Sequence, residues 1–147
     1  MSTATPDIAV AHDELVARIA AGAFDTRIFT VYTNTQRVLQ RPVKGQYPHL
    51  VAVGKVDQRV EIVGLVETVE GLQDLDVAAR RWRSLEHLQA AMYLYVPRGH
   101  CADARTLCLR QHIRISDFRH YWFEGDEGPD GPAPTQSRQL HVERCFA

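Results

Sequence analysis

The 147-residue sequence has few cysteines, almost no net charge and no long apolar run. Three cysteines are too few for a disulfide framework and predict a reducing, cytoplasmic setting. No apolar stretch reaches the roughly 18 residues that a membrane-spanning helix needs, so we expect no membrane partner. Charged residues interrupt the apolar N-terminal segment, which argues against a signal peptide.

The residues that are present suit one globular domain with a mildly uneven charge. Hydrophobic residues make up 45% and charged residues 24%, which is typical of soluble proteins. The net charge of −1 argues against strong binding to polyanions. From Glu124 onward, however, five acids and two arginines give −3, so residues 1–123 carry +2. This balance permits nucleic-acid binding without requiring it.

The hydrophobic pattern predicts an α/β domain over residues 1–125 and an acidic, Pro/Gly-rich tail over residues 126–147. A helix to about Ala21 precedes three strands, of which the last two form a hairpin within "YPHLVAVGKVDQRVEIVGLVET". Asp74 caps a helix to about Gln89, and the strand "AMYLYVP", a short helix and the strand "IRISDFRHYWFEG" follow. Short links predict antiparallel strands and helical links predict parallel strands. The expected fold is a mixed five-stranded sheet flanked by helices.

The hairpin ending in "VET", followed by a helix and "YLYVPRG", resembles the restriction-endonuclease-like superfamily. The likeness covers roughly residues 7–125 and includes the Holliday-junction-resolvase branch. The family places one acid after a proline on the second strand. It places a second acid, any residue and then lysine or glutamate on the third strand. Two such acids can share one Mg²⁺, which activates water and neutralises charge at a phosphate. The resemblance implies DNA as the ligand and a homodimer.

Carried onto this sequence, the family's acid positions have largely lost their chemistry. Pro48 is followed by His49 at the first acid position, and the second acid position is Leu65. Only Glu67, at the last position, keeps a suitable side chain. Leucine cannot bind a metal, and neutral imidazole suits Zn²⁺ or Cu²⁺ better than Mg²⁺. Glu14 on the first helix could join His49 and Glu67 in a rebuilt catalytic site.

We favour a structural alternative for these candidate catalytic residues. In that interpretation Glu67 pairs with an arginine of the following helix, and His49 makes only local hydrogen bonds. No cofactor is then expected, and Mg²⁺ would be needed only if the chain is an active nuclease.

The densest basic stretches of the sequence are candidate DNA contacts, because arginine binds phosphate through paired, charge-assisted hydrogen bonds. They comprise Arg37, Arg41, Lys44, Arg80, Arg81 and Arg83. The alternative is a solvated helix face with local partners such as Asp76 and Glu86.

A zinc site is not predicted, although His100, Cys101, Cys108 and His112 lie in one short segment. Cys101 and Cys108 are seven residues apart, or roughly 10 Å along a helix. A single tetrahedral zinc ion cannot reach both sulfur atoms.

The sequence therefore predicts a DNA-binding protein of nuclease-like fold, with impaired or no catalysis, acting in a DNA-processing assembly. Two alternatives stay open, an active metal-dependent nuclease and a protein–protein module without DNA contact. For the homodimer we expect self-pairing of the last strand, "FRHYWF" (Phe118–Phe123), at the sheet edge.

Overall fold

The computed structural model describes residues 4–35, 40–124 and 139–146, and within the first helix the side chains from residue 11 onward. These residues form three α-helices and six strands. The helices are α1 (Ala4–Gly22), α2 (Leu75–Arg83) and α3 (Cys101–Gln111). The strands are β1 (Phe29–Thr33), β2 (Leu50–Gly54), β3 (Val60–Val66), β4 (Ala91–Pro97), β5 (Asp117–Phe123) and β6 (Leu140–Arg144). Across these described ranges, no helix combines the length and apolarity that a membrane crossing requires.

The strands form one mixed sheet in the order β1-β2-β3-β4-β5-β6. Neighbours are antiparallel from β1 to β3, parallel from β3 to β5, and antiparallel between β5 and β6. The predicted α/β class and mixed sheet are confirmed, but the predicted count of five strands is wrong. The sixth strand, β6, lies inside the segment 126–147 that composition marks as a tail.

The place of β6 also corrects the expected edge of the sheet. Phe118–Phe123 is not an edge strand, because β5 pairs with β4 on one side and β6 on the other. The β6 strand of the same chain therefore occupies the side of "FRHYWF" that would otherwise pair with a second copy. In the described part of the chain, the edge strands are β1 and β6.

Helices cover the two faces of the sheet, and alternate strand residues point to each face. Val63 and Leu65 of β3 pack with Trp82 of α2 and with α3. On the opposite face, Leu50 and Val66 pack with α1. Trp82 is fully buried and anchors α2, and truncating such a residue typically costs about 3–5 kcal/mol.

Helix α2 begins as predicted and ends early. The Asp74 carboxylate accepts a hydrogen bond from the Val77 N–H at 3.2 Å and caps the helix. The helix stops at Arg83 rather than near Gln89, and a 3₁₀ turn follows at Glu86–Leu88. The Ser84 hydroxyl donates to the Arg81 carbonyl at 2.7 Å, a local bond that competes with continued helix.

Two of the three cysteines form a disulfide that the cysteine count did not predict. Cys101 at the start of α3 is bonded to Cys145, which directly follows β6. The bond fixes the end of the last strand to α3. Cys108 is a buried free thiol, and its burial, with the nearby Glu86 charge, raises its pKa to about 12.

Candidate functional site at the carboxyl ends of the parallel strands

The carboxyl ends of β3, β4 and β5 share one edge of the sheet. Ligands of open α/β sheets usually bind beyond such ends. Glu67 directly follows β3, Arg98 directly follows β4, and β5 ends at Phe123. The candidate acid positions of the sequence therefore lie at the edge where a site is expected.

Glu67 is only 3% exposed, and hydrogen bonds engage both of its carboxylate oxygens. Arg81 donates to it through Nη2 at 2.7 Å and through Nε at 3.2 Å. The Trp82 indole N–H donates to the same carboxylate at 2.8 Å. Such paired, charge-assisted bonds fix the geometry of both groups. The expected pairing of Glu67 with an arginine of the following helix is confirmed.

The chain closes tightly around this carboxylate. Arg81 also donates to the Gly71 carbonyl at 3.2 Å. A Cβ at Gly71 would lie 2.8 Å from Glu67 Oε1, so the loop accepts only glycine at that position without rearrangement. The buried Tyr121 hydroxyl donates to the Glu67 carbonyl at 2.9 Å. We call Glu67, Gly71, Arg81 and Trp82 the Glu67 cluster.

His49 lies next to a second histidine that sequence reasoning missed. The Val66 N–H donates to His49 Nδ1 at 2.9 Å, and His12 Nε2 donates to the Val66 carbonyl at 2.9 Å. The two imidazole rings meet edge to face, with centroids 4.6 Å apart. Burial, helped by nearby His12 and Arg81, lowers the pKa of His49 to about 3, so the ring is neutral. His49 is hydrogen-bonded as expected, but to the end of β3, 17 residues further along the chain, rather than to a sequence neighbour.

The position of His12 was readable from helical spacing. It lies three, four and seven residues before Leu15, Val16 and Ile19, which are all buried on the α1 side of the sheet. This spacing places His12 at the edge of the inner face of α1.

The proposed catalytic residues are not gathered into a metal site. The His49 ring contacts His12 of α1, whereas the Glu67 carboxylate is bonded to Arg81 and Trp82 of α2. Leu65 is a core residue, and Glu14 is half-buried on α1. Among the described residues, no group of three or more potential metal ligands is found. Mg²⁺ prefers several free hard oxygen ligands, so these residues do not fit it.

Three of the predicted DNA contacts precede the β2–β3 hairpin. Arg37 lies outside the described residues. The main chain of Arg41 is fixed by the Asn34 side chain at 2.7 and 3.0 Å, and Arg41 is exposed. The Lys44 ammonium donates to the Gln89 side chain at 3.0 Å.

The three predicted contacts on α2 differ in availability. Arg80 is exposed. Arg81 is committed to Glu67 and is unsuited to a DNA contact. Arg83 is exposed, but its guanidinium donates to the Gln111 carbonyl at 2.7 Å and so connects α2 to α3.

Helices α2 and α3 form a basic layer that sequence reasoning found only in part. Residues 75–116 contain seven arginines and three acids, an excess of four positive charges in a chain of net charge −1. Six of these arginines are exposed: Arg80, Arg83, Arg98, Arg105, Arg110 and Arg114. Sequence reasoning missed those on α3 because they are spaced singly. We call this surface the α2–α3 face.

An aromatic and cationic stack lies across β5 and β6, next to the end of β4. The His141 ring stacks on Trp122 with centroids 5.2 Å apart and planes 15° from parallel. The Arg98 guanidinium lies 4.7 Å over the Trp122 ring, and His120 lies 5.3 Å from it. Sequence reasoning could not find this stack, because it requires β6 to pair with β5.

No protein-family model, curated protein or solved structure matches this chain. The function therefore has to be argued from the geometry.

Proposed function

We propose that this protein binds DNA through the α2–α3 face and does not cleave it, on a fold of the restriction-endonuclease-like type. The observation that carries the proposal is the excess of four positive charges between residues 75 and 116. The rest of the chain carries −5. Arg81 is paired with Glu67, which lies outside this range, so an excess of three positive charges remains available to a ligand.

Exposed arginines on adjacent helices suit a phosphate backbone. Arg80 on α2 and Arg110 on α3 are both exposed. Arg83 of α2 bonds Gln111 of α3, so the ends of the two helices that carry these arginines lie side by side. Each phosphate contact displaces counterions from DNA, which makes binding sensitive to salt.

The architecture is consistent with the resemblance to restriction-endonuclease-like proteins, from which we expected DNA as the ligand. The element order of helix, three strands, helix, strand, helix and strand is present from α1 to β5. The antiparallel hairpin and the parallel strands after it also agree with that expectation.

The Glu67 cluster supports the absence of cleavage. Both carboxylate oxygens of Glu67 already accept hydrogen bonds from Arg81 and Trp82. The Nδ1 atom of His49 likewise accepts the Val66 N–H. These groups would have to give up their present partners before they could hold a metal ion.

Fluorescence anisotropy with duplex, single-stranded and four-way-junction DNA tests the binding. Arg80→Gln and Arg110→Gln should each weaken binding and flatten the slope of log affinity against log salt by roughly one per lost contact. Arg59→Gln is the matched control, because Arg59 is equally exposed but lies at the start of β3. Equal effects of all three substitutions would contradict a localised surface.

Two further outcomes decide between the alternatives. Absence of binding to any DNA at low salt would favour the protein–protein module. Robust cleavage with Mg²⁺ or Mn²⁺ that is abolished by Glu67→Ala would establish the active nuclease.

A further inference from the structure

We propose that His141 is a stacking platform for an unpaired DNA base, supported from behind by Trp122 and Arg98. This inference rests on the proposed DNA binding and names the form of DNA that the protein prefers, which is single-stranded or locally unpaired.

The stack results from the register in which β5 and β6 pair. Trp122 of β5 lies directly opposite His141 of β6 in the antiparallel pair. Their rings are nearly parallel, with centroids 5.2 Å apart. Arg98 is positioned from the next strand, because its N–H donates to the Tyr121 carbonyl at 2.9 Å. The order across the sheet is therefore Arg98, Trp122 and His141.

The stack ends at the edge of the sheet. β6 is the last strand that the described residues add to it, and the His141 side chain is 35% exposed. The Glu124 carboxylate lies 3.7 Å from His141 Nε2 and so influences the rotation of the ring. A planar ligand that stacks on His141 would lengthen a series of parallel rings already present.

Charges of both signs flank the stack, and its Arg98 side is the one that suits a phosphate. Arg98 belongs to both the stack and the α2–α3 face, so a strand could place a base on His141 and its phosphates along α3. Two acids lie nearby, Glu124 and Glu143, the latter opposite His120. Both acids lie on the His141 side of Trp122, whereas Arg98 lies on the other side of that ring.

Stacking explains why an unpaired base is required. A base in a duplex is already stacked and paired, whereas an unpaired base offers a free face. Replacing an aromatic side chain by alanine commonly costs about 1–3 kcal/mol of binding free energy per stacked base, or roughly 5- to 150-fold in affinity.

The test compares oligothymidine, a strand of the same length with abasic sites, and duplex DNA, each bound to three variants. His141→Ala should weaken oligothymidine binding by roughly 5- to 150-fold and leave duplex binding unchanged. His141→Tyr keeps a flat ring and should retain the affinity of the original chain. Tyr47→Ala is the control, because Tyr47 is a 54% exposed aromatic residue outside the stack.

The outcomes separate this inference from the proposed function. If the protein binds DNA but His141→Ala affects single strands and duplex alike, or affects neither, the platform is wrong and DNA binding stands. Equal affinity for the abasic strand and oligothymidine would also overturn the platform. If no DNA form binds, the proposed function itself fails. Circular dichroism of each variant checks that the sheet is intact.

Discussion

Replacing Glu67 by alanine tests whether this acid is structural or catalytic. Its carboxylate accepts three hydrogen bonds in the folded protein, two from Arg81 and one from Trp82. Active-site acids are often held at a cost to stability, so removing one can leave a protein equally or more stable. Removing a structural acid leaves its partners without their bonds.

The expected loss in the free energy of unfolding follows from the hydrogen-bond donors that Glu67→Ala would leave unpaired. Breaking a buried ion pair by removing one member costs about 3–5 kcal/mol. An unsatisfied buried N–H, here that of Trp82, costs about 1–3 kcal/mol. The Arg81 side chain is 35% exposed, so water can hydrate part of its charge. We therefore expect a total near the lower end of these ranges, about 3–4 kcal/mol.

Urea denaturation followed by tryptophan fluorescence measures this change. Glu61→Ala is the control, because Glu61 is an exposed glutamate on β3, the strand that Glu67 follows. Such substitutions usually change stability by less than about 0.5 kcal/mol. A cycle that combines Glu67→Ala with Arg81→Met isolates the energy of the pair. If Glu67→Ala is as stable as the original chain, the structural role is refuted.

Three further measurements follow from the disulfide, from His49 and from the resemblance. Cys145→Ser should lower the free energy of unfolding by about 4 kcal/mol for a loop of this length, because the bond to Cys101 spans 44 residues; reductant should weaken the original chain equally and leave Cys145→Ser unchanged. The pKa of His49 is about 3 in the folded protein, whereas unfolded histidine binds a proton near pH 6.5. Stability should therefore fall as the pH drops from about 6.5 towards 3, by up to about 1.4 kcal/mol per pH unit, and His49→Asn should reduce this slope. Light scattering should show a homodimer, and a monomer at all concentrations would contradict that expectation.

The central strands could be predicted because each one carries its own signal. β3 is apolar from Ile62 to Val66 and β4 is apolar throughout, as expected for strands buried on both faces. β6 carries a much weaker signal, since it alternates only Leu140 and Val142 with polar residues. It is placed by distant partners instead, through its pairing with β5 and the disulfide of Cys145. Contacts of this kind leave no local pattern in the sequence.

Some contacts of the site could likewise be predicted from neighbouring residues, whereas others join residues far apart in the sequence. An acid at the end of β3 and an arginine-rich helix after it were enough to predict the Glu67–Arg81 pair. The hydrogen bond from Trp82 to Glu67 could not be predicted, because it depends on how α2 packs against the sheet. The stack of His141 on Trp122 was also missed, because it joins two strands separated by the segment 125–138.

His49 and Leu65 stand where the resemblance to restriction-endonuclease-like proteins would place acids. His49→Asp with Leu65→Glu would put a carboxylate at both positions. Leu65, however, is only 5% exposed and packs in the core between the sheet and helices α2 and α3. A carboxylate there lacks a solvent shell, and its desolvation costs several kcal/mol unless it is neutralised or paired.

Arg81, a cation on the helix that packs against Leu65, is already bonded to Glu67. We therefore expect the double variant to lose stability and to gain no affinity for Mg²⁺, with Leu65→Met as the volume-matched control that keeps the fold. Thermal unfolding with and without Mg²⁺ measures both effects. A rise in the melting temperature of the double variant on adding Mg²⁺, absent in Leu65→Met, would show that the two positions still converge on a metal site.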